Sequence, residues 1–344
     1  MLEQKEFGKL PDGQIINSYT LRNSHGITVK LINYGATLVS IKTPDKTGQF
    51  DEINLGFDSL PEYLAHEFYF GCIIGRVANR ITHGRFNLNG KTYQLPINFI
   101  KQHHIHGGLK GFDKVVWHTE ILDEVEPAIK FTYTSKEGEE GYPGNLTVDV
   151  IYTLTQYNEL KIAYFATTDQ PTILDLTNHA YWNLAGAGKN DILQHVLQVA
   201  ADEYIVTDKD HIPSGEIRSV ANSAVDFRQP TAIGAHINQL ANGYDLCYVL
   251  SPANKKPRFA ARISDPISGR MMEVHTNQNG LQFYTGNYLY DYKIANGRTT
   301  KKLGGFCMET QNFPDAINHA NFPSPVLLPE QEYFHETVFK FGTN

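Results

Sequence analysis

The chain has 344 residues, 41% of them hydrophobic and 19% charged, with a formal net charge of −7. It is long enough to bury a large core, and its composition is that of a soluble globular protein. Lys and Arg form no cluster of the kind a nucleic acid or an anionic bilayer requires, and no window approaches 18 consecutive apolar residues, so neither a nucleic acid nor a membrane is expected as a partner.

The opening stretch MLEQKEFGKLPDG has no apolar h-region, so a cytoplasmic location is expected and the sequon Asn145-Leu146-Thr147 would carry no glycan. GITVKLINYGATLVSIKTP (26–44) reads as two strands broken at Gly35. SLPEYLAH (59–66) is one of the few helical patterns, with a turn near 231–240. HGRFNLNGKTYQL (83–95) alternates Phe86, Leu88, Tyr93 and Leu95 around Asn89-Gly90, the pair preferred in type I′ hairpin turns. Alternation continues through AIKFTYTS, GNLTVDVIYTLT and ELKIAYFATT between residues 128 and 168. RMMEVHTNQNGLQFYTGN (270–287) reads as a second hairpin turning at Asn279-Gly280, and ETVFKF as a last strand. Short strands with Gly, Asn and Pro turns, and no alternation with long helices, predict an all-β antiparallel sandwich or barrel. No repeat or linker divides residues 1–344, which are read as a single domain. Cys72, Cys247 and Cys307 are few, odd in number and set among apolar neighbours, so they read as reduced core thiols.

Dense polar chemistry gathers in six short stretches: GRVANRI (75–81), HHIHGG (103–108), TNHAYWNL (177–184), NGYDLCYVL (242–250), GLQFYTGN (280–287) and CMETQNFPDAINH (307–319). Each has a structural reading. Arg76 and Arg80 can be solvated or salt-bridged, His103 and His104 loop residues, and His179 a satisfied core histidine. Asp245 can form a turn, and Gln282 can point outward from its strand. Glu309, in the mostly apolar FCMETQ, is harder to place, because a carboxylate is costly to bury without partners. The histidines lack HExxH or paired CxxC spacing, so no metal is expected. AGAGKN (185–190) lacks the glycine spacing and the Ser or Thr of a phosphate loop, and no G-x-S-x-G elbow is present.

In their order, GRVANRI, HHIHGG, TNHAYWNL, NGYDLCYVL, LQFYTGN and METQNFPDA resemble the aldose 1-epimerases, or galactose mutarotases, from about residue 26 to the C-terminus. LGFDSLPEYL, GFDKVVW and the Asp226-Phe227-Arg228 triplet add to the likeness. The resemblance implies a large antiparallel β-sandwich, a site on its open face, no cofactor and no metal. It implies interconversion of the α and β anomers of hexoses such as galactose and glucose, with His179 as general acid and Glu309 as general base. Asn79, Arg80, His106, Asp245 and Gln282 would hold the sugar, and Tyr181 would touch it. A monomer or homodimer is expected. Leu246 stands where relatives often carry His, and Gln278-Asn279 where many carry Glu-Pro, which leaves the sugar preference open, disaccharides such as maltose included.

The chemistry suits these residues. Ring opening removes a proton from the C1 hydroxyl while the ring oxygen gains one; rotation about C1–C2 and reclosure give the other anomer. A partly desolvated carboxylate and an imidazole, whose ordinary pKa is about 6.5, can carry those protons. Arg80 and His106 can donate to sugar oxygens, Asp245 can accept from hydroxyls, and Tyr181 and Trp182 can offer aromatic faces. A glycoside hydrolase using Asp245 and Glu309, a sugar sensor without turnover, and a relative acting on sugar phosphates remain alternatives at this level.

Overall fold

The computed structural model describes residues 1–122, 125–251 and 255–344. All pairings between its larger strands are antiparallel. The N-terminal strands Leu2–Lys9, Ile15–Arg22, Thr28–Ile32, Thr37–Pro44 and Phe50–Glu52 form a five-stranded meander in chain order. The break at Gly35 falls between two of these strands, as the sequence predicts. A nine-stranded sheet has the order His118–Leu122, Ala128–Ser135, Leu146–Leu154, Glu159–Thr168, Tyr333–Thr343, Arg270–Thr276, Arg258–Ser264, Val196–Val199, Thr231–Ala232. A second five-stranded sheet runs Pro213–Ser219, Glu203–Thr207, Asp245–Val249, Gly280–Tyr284, Cys307–Gln311. The all-β expectation holds. The single α-helix among the described residues, Leu60–Ala65, starts where Ser59 N–H and Oγ–H both donate to the Glu62 carboxylate.

Side-chain alternation explains the layers. Along Leu146–Leu154 and Glu159–Thr168 every second residue is buried, the period of a strand with one face on the core. Gly280–Tyr284 and Cys307–Gln311 are buried at every position, so both faces of that sheet are covered. One face packs Leu246, Tyr248, Leu281, Phe283 and Met308 into the main hydrophobic core. The other carries the residues between them: Asp245, Cys247, Gln282, Tyr284, Cys307 and Glu309. Cross-strand register places Asp245 opposite Tyr284, and Gln282 opposite both Cys247 and Glu309. A polar row thus sits on an apolar platform.

One sequence expectation changes. Residues 270–287 are not a hairpin: Arg270–Thr276 pairs within the nine-stranded sheet, Gly280–Tyr284 within the second five-stranded sheet. Asn279-Gly280 has the chemistry of a turn, but Asn277 and Gln278 are buried and carry the chain from one layer to the other. Gly280 is needed there because an added Cβ would lie 2.7 Å from Cys247 Sγ and 3.1 Å from the Gln311 carbonyl oxygen. The first hairpin forms as predicted, pairing Arg85–Leu88 with Lys91–Gln94 around Asn89 and Gly90, both at positive φ.

Candidate active site

Four chain segments converge over the polar face of the Asp245–Gln311 sheet. The short strand Thr177–Asn178 pairs with Ile73–Ile74. Its ladder continues through His179, whose N–H donates to the Cys72 carbonyl at 2.9 Å and whose carbonyl accepts from Gly71 N–H at 3.0 Å. That pairing fixes the imidazole above Glu309, with Nε2 3.7 Å from Glu309 Oε2. Arg80–Ile81 pairs with His104–Ile105, which brings Asn79, Arg80 and His106 to the same place. Asn79 and His106 both have positive φ, and they clasp one another: His106 N–H donates to the Asn79 carbonyl at 3.0 Å, and Asn79 N–H to His106 Nδ1 at 3.3 Å.

The result is a cavity of about 450 Å³ lined by Asn79, Arg80, His106, His179, Tyr181, Asp245, Gln282 and Glu309 among others. All eight residues singled out from sequence therefore face one hollow, although they span more than 200 positions in the chain. The size suits a small organic ligand. Gln282 Nε2 donates to Asp245 Oδ1 at 2.6 Å, and Arg80 Nη2 to Asp245 Oδ2 at 3.1 Å. Arg80 Nη1 also donates to Asn79 Oδ1 at 3.2 Å, and its guanidinium lies 4.8 Å from the Phe99 ring centroid. Asn79, Arg80, Asp245 and Gln282 are thus held by one another before any ligand arrives, as preorganised recognition requires.

Two of these eight residues retain unused capacity: among the described residues, Glu309 Oε2 and Arg80 Nε are buried without a hydrogen-bond partner. A buried carboxylate oxygen left unpaired is costly, so such an atom points to a ligand. Burial and the nearby charge of Asp245 push the Glu309 carboxyl up to about 8, with Arg80 pulling the other way. Burial pushes the His179 imidazole down to about 4, and His106 well below its ordinary value, helped by His179 and Arg80. Both partners of the closest acid–base pair thus favour their neutral forms in the unliganded site. Desolvation is the leading cause of both shifts.

The aromatic surroundings correct one expectation and add residues. Tyr181 stacks on His179 with ring centroids 5.1 Å apart. Trp182 does not reach the cavity: it is fully buried against Phe339 and Phe341 in the core. Neighbouring residues in an extended chain point to opposite sides, so Tyr181 and Trp182 cannot both face the ligand. Tyr69, absent from the sequence reading, flanks His179 at 5.7 Å and His106 at 4.8 Å. Its only signal was its place just before the GRVANRI run. His103 and His104, read as loop residues, are buried, and His104 begins the strand His104–Ile105. His104 bridges the Pro96 carbonyl at 2.8 Å and Tyr142 OH at 2.7 Å. Arg76 is neither solvated nor ion-paired: it donates to the carbonyls of Ser135, Lys136 and Pro143 and lies outside the cavity lining. All three cysteines are free and buried. Cys307 Sγ lies 3.6 Å from His179 Nδ1, and burial raises its thiol well above the usual range, so it stays uncharged.

Comparison with known proteins bears on this arrangement. Residues 17–340 match the family model described as aldose 1-epimerase. Galactose mutarotases of Rattus norvegicus and Homo sapiens are each 43% identical over 339 residues, covering 98% of this chain and 97% of theirs. An aldose epimerase homologue from C. elegans superposes with a TM-score of 0.87 at 32% identity, covering 94% of this chain and 98% of its own. A galactose 1-epimerase from Lactobacillus acidophilus gives 0.87 at 28% identity, covering 100% and 99%. The antiparallel sheets and these relatives define an all-β isomerase. The chain belongs to the aldose 1-epimerase family.

Proposed function

We propose that the chain, acting as a single domain, interconverts the α and β anomers of a free hexose such as galactose or glucose, with Glu309 as general base and His179 as general acid. The observation that carries the reading is the 3.7 Å approach of His179 Nε2 to the unpartnered Glu309 Oε2 inside a sugar-sized hollow. Glu309 takes the C1 hydroxyl proton while His179 gives one to the ring oxygen. The C1–O5 bond breaks and the aldehyde forms. Rotation about C1–C2 exposes the other carbonyl face, and the two transfers run backwards to close the ring. No proton is gained or lost overall. Asp245 accepts from sugar hydroxyls, and Arg80, His106, Asn79 and Gln282 position the ring, with Tyr181 against its apolar edge.

The pair works with one shared proton. In the empty site it rests on Glu309, because burial disfavours a charge on either partner. The carboxylate–imidazolium form holds the same number of protons and differs by one transfer. A bound sugar's hydroxyls and ring oxygen hydrogen-bond the charged form and so favour it. Polarimetry on freshly dissolved α-D-galactose and α-D-glucose tests the reading: added protein should hasten the approach to equilibrium rotation. Unchanged relaxation for every common hexose and pentose would remove it.

A further inference from the structure

Asp245 has a third neighbour that the recognition scheme does not use. His211 Nδ1 lies 3.4 Å from Asp245 Oδ2. Its other nitrogen, Nε2, is 3.4 Å from Tyr288 OH. Asp245 and Tyr288 both line the cavity, and Tyr288 is 57% exposed at its mouth. His211 thus spans two walls, the Asp245–Val249 strand and the segment after Gly280–Tyr284.

The turn presenting His211 is tightly built. Asp208 N–H donates to the Ile212 carbonyl at 2.9 Å, and His211 N–H to the Asp208 carbonyl at 3.1 Å. Asp208 Oδ1 accepts from Asp210 and Ile212 N–H at 2.8 and 2.9 Å. His211 itself sits at φ 60°, a left-handed conformation that His adopts more readily than most side chains. Leu246, next to Asp245, points into the core and offers that carboxylate nothing. An imidazole from the 208–212 turn therefore adds a contact at Asp245 Oδ2, while the strand neighbour Gln282 serves Oδ1.

We propose that His211 is a positioning and affinity-determining residue for the sugar. With Nδ1 beside Asp245 and Nε2 within hydrogen-bond reach of Tyr288 OH, it braces the hydroxyl-binding carboxylate and ties the two walls of the mouth together. Arg80 and Gln282 hold Asp245 from below; His211 holds it from the solvent side. It touches neither Glu309 nor His179, so its influence falls on binding rather than on proton transfer. This inference rests on the reading of Asp245 as a sugar ligand.

His211→Leu, His211→Asn, Tyr288→Phe and the double variant His211→Leu/Tyr288→Phe decide it, each assayed by polarimetry with α-D-galactose and by thermal melting. His211→Leu should raise KM about 3–10-fold, the usual cost of losing one hydrogen-bonding partner, with kcat within about twofold of the parent. His211→Asn keeps a donor and should recover part of the KM. Tyr288→Phe should raise KM by a smaller factor, and the double variant should be no worse than His211→Leu alone, because both changes break one chain of contacts. A merely structural turn would lower the melting temperature and leave KM of the folded fraction unchanged. Unchanged KM in His211→Leu, a fall confined to kcat, or multiplicative effects in the double variant would overturn the proposal. If the parent turned over no sugar, the proposed function would fall and this inference with it; an active parent with an unaltered His211→Leu would overturn this inference alone.

Discussion

Glu309→Gln separates the cost of the site from its chemistry. The substitution keeps the volume and removes the titration. Glu309 is buried, its Oε2 has no partner among the described residues, and burial pushes its carboxyl from an ordinary 4.5 up to about 8. A carboxyl raised on folding stabilises the native state most below its unfolded pKa and progressively less as pH rises through the folded one. At about 1.36 kcal/mol per unit, the penalty for keeping Glu309 protonated is about 1 kcal/mol at pH 5 and about 4 kcal/mol at pH 8. Gln pays none of it. The variant should therefore be more stable than the parent, with an advantage that grows from pH 5 to pH 8. Other buried carboxyls, Glu52, Asp113 and Asp175, are shared by both proteins and cancel in the difference. Polarimetry should show a rate loss of at least about 10²-fold, the usual contribution of a general acid–base group. Urea titrations at pH 5 and 8 measure the stability side. A variant that is equally or less stable at pH 8, or one that keeps full turnover, would refute the reasoning.

Four further outcomes follow from the same geometry. The pH profile of kcat/KM should be bell-shaped with limbs near 4 and 8, where the shared-proton pair gains a second proton or loses its last; a single limb near 6.5 would show that the two groups titrate independently. Asp245→Asn should raise KM and move the alkaline limb downward, because the Asp245 charge helps hold the Glu309 carboxyl up. Stability of the parent should peak near pH 6. Glu52, Asp113, Asp175 and Glu309 lose their contribution as pH rises from about 4 toward their folded values between 6 and 8. His66, His104, His179, His195 and His335 lose theirs as it falls from 6.5 toward 4 and 3. A monotonic melting-temperature profile from pH 4 to 9 would contradict this. Arg76→Met should cost about 3 kcal/mol in denaturant titration, since it strands buried carbonyls, while KM for galactose stays within about twofold; a large KM change would place Arg76 in the binding machinery.

How far the sequence reveals such a site depends on which forces place each residue. Strand periodicity exposes the layers, because burial on one face imprints a period of two. It does not expose sheet membership. Residues 270–287 carry every local sign of a hairpin, yet their two strands belong to different sheets, and only buried partners of Asn277 and Gln278 decide that. Asp245, Gln282 and Glu309 stand out as polar residues in apolar strands, which the cost of burial makes conspicuous. Arg76 and Arg80 look alike in GRVANRI, but the first is sequestered by carbonyls and the second faces the cavity. Trp182 seemed as available as Tyr181 until the alternation of neighbouring side chains turned it inward. Phe99 and His211 leave no trace in spacing or composition, since each owes its place to chain segments folded against it from far away.

Catalysis by this pair depends on where the reacting carbon sits. A crystal structure of the Glu309→Gln variant soaked with D-galactose reads this directly. The C1 hydroxyl should lie within about 3.2 Å of the side chain at position 309 and the ring oxygen within the same reach of His179 Nε2, with hydroxyls on Asp245. A pyranose bound with C1 turned away from both groups, or seated elsewhere on the molecule, would contradict it.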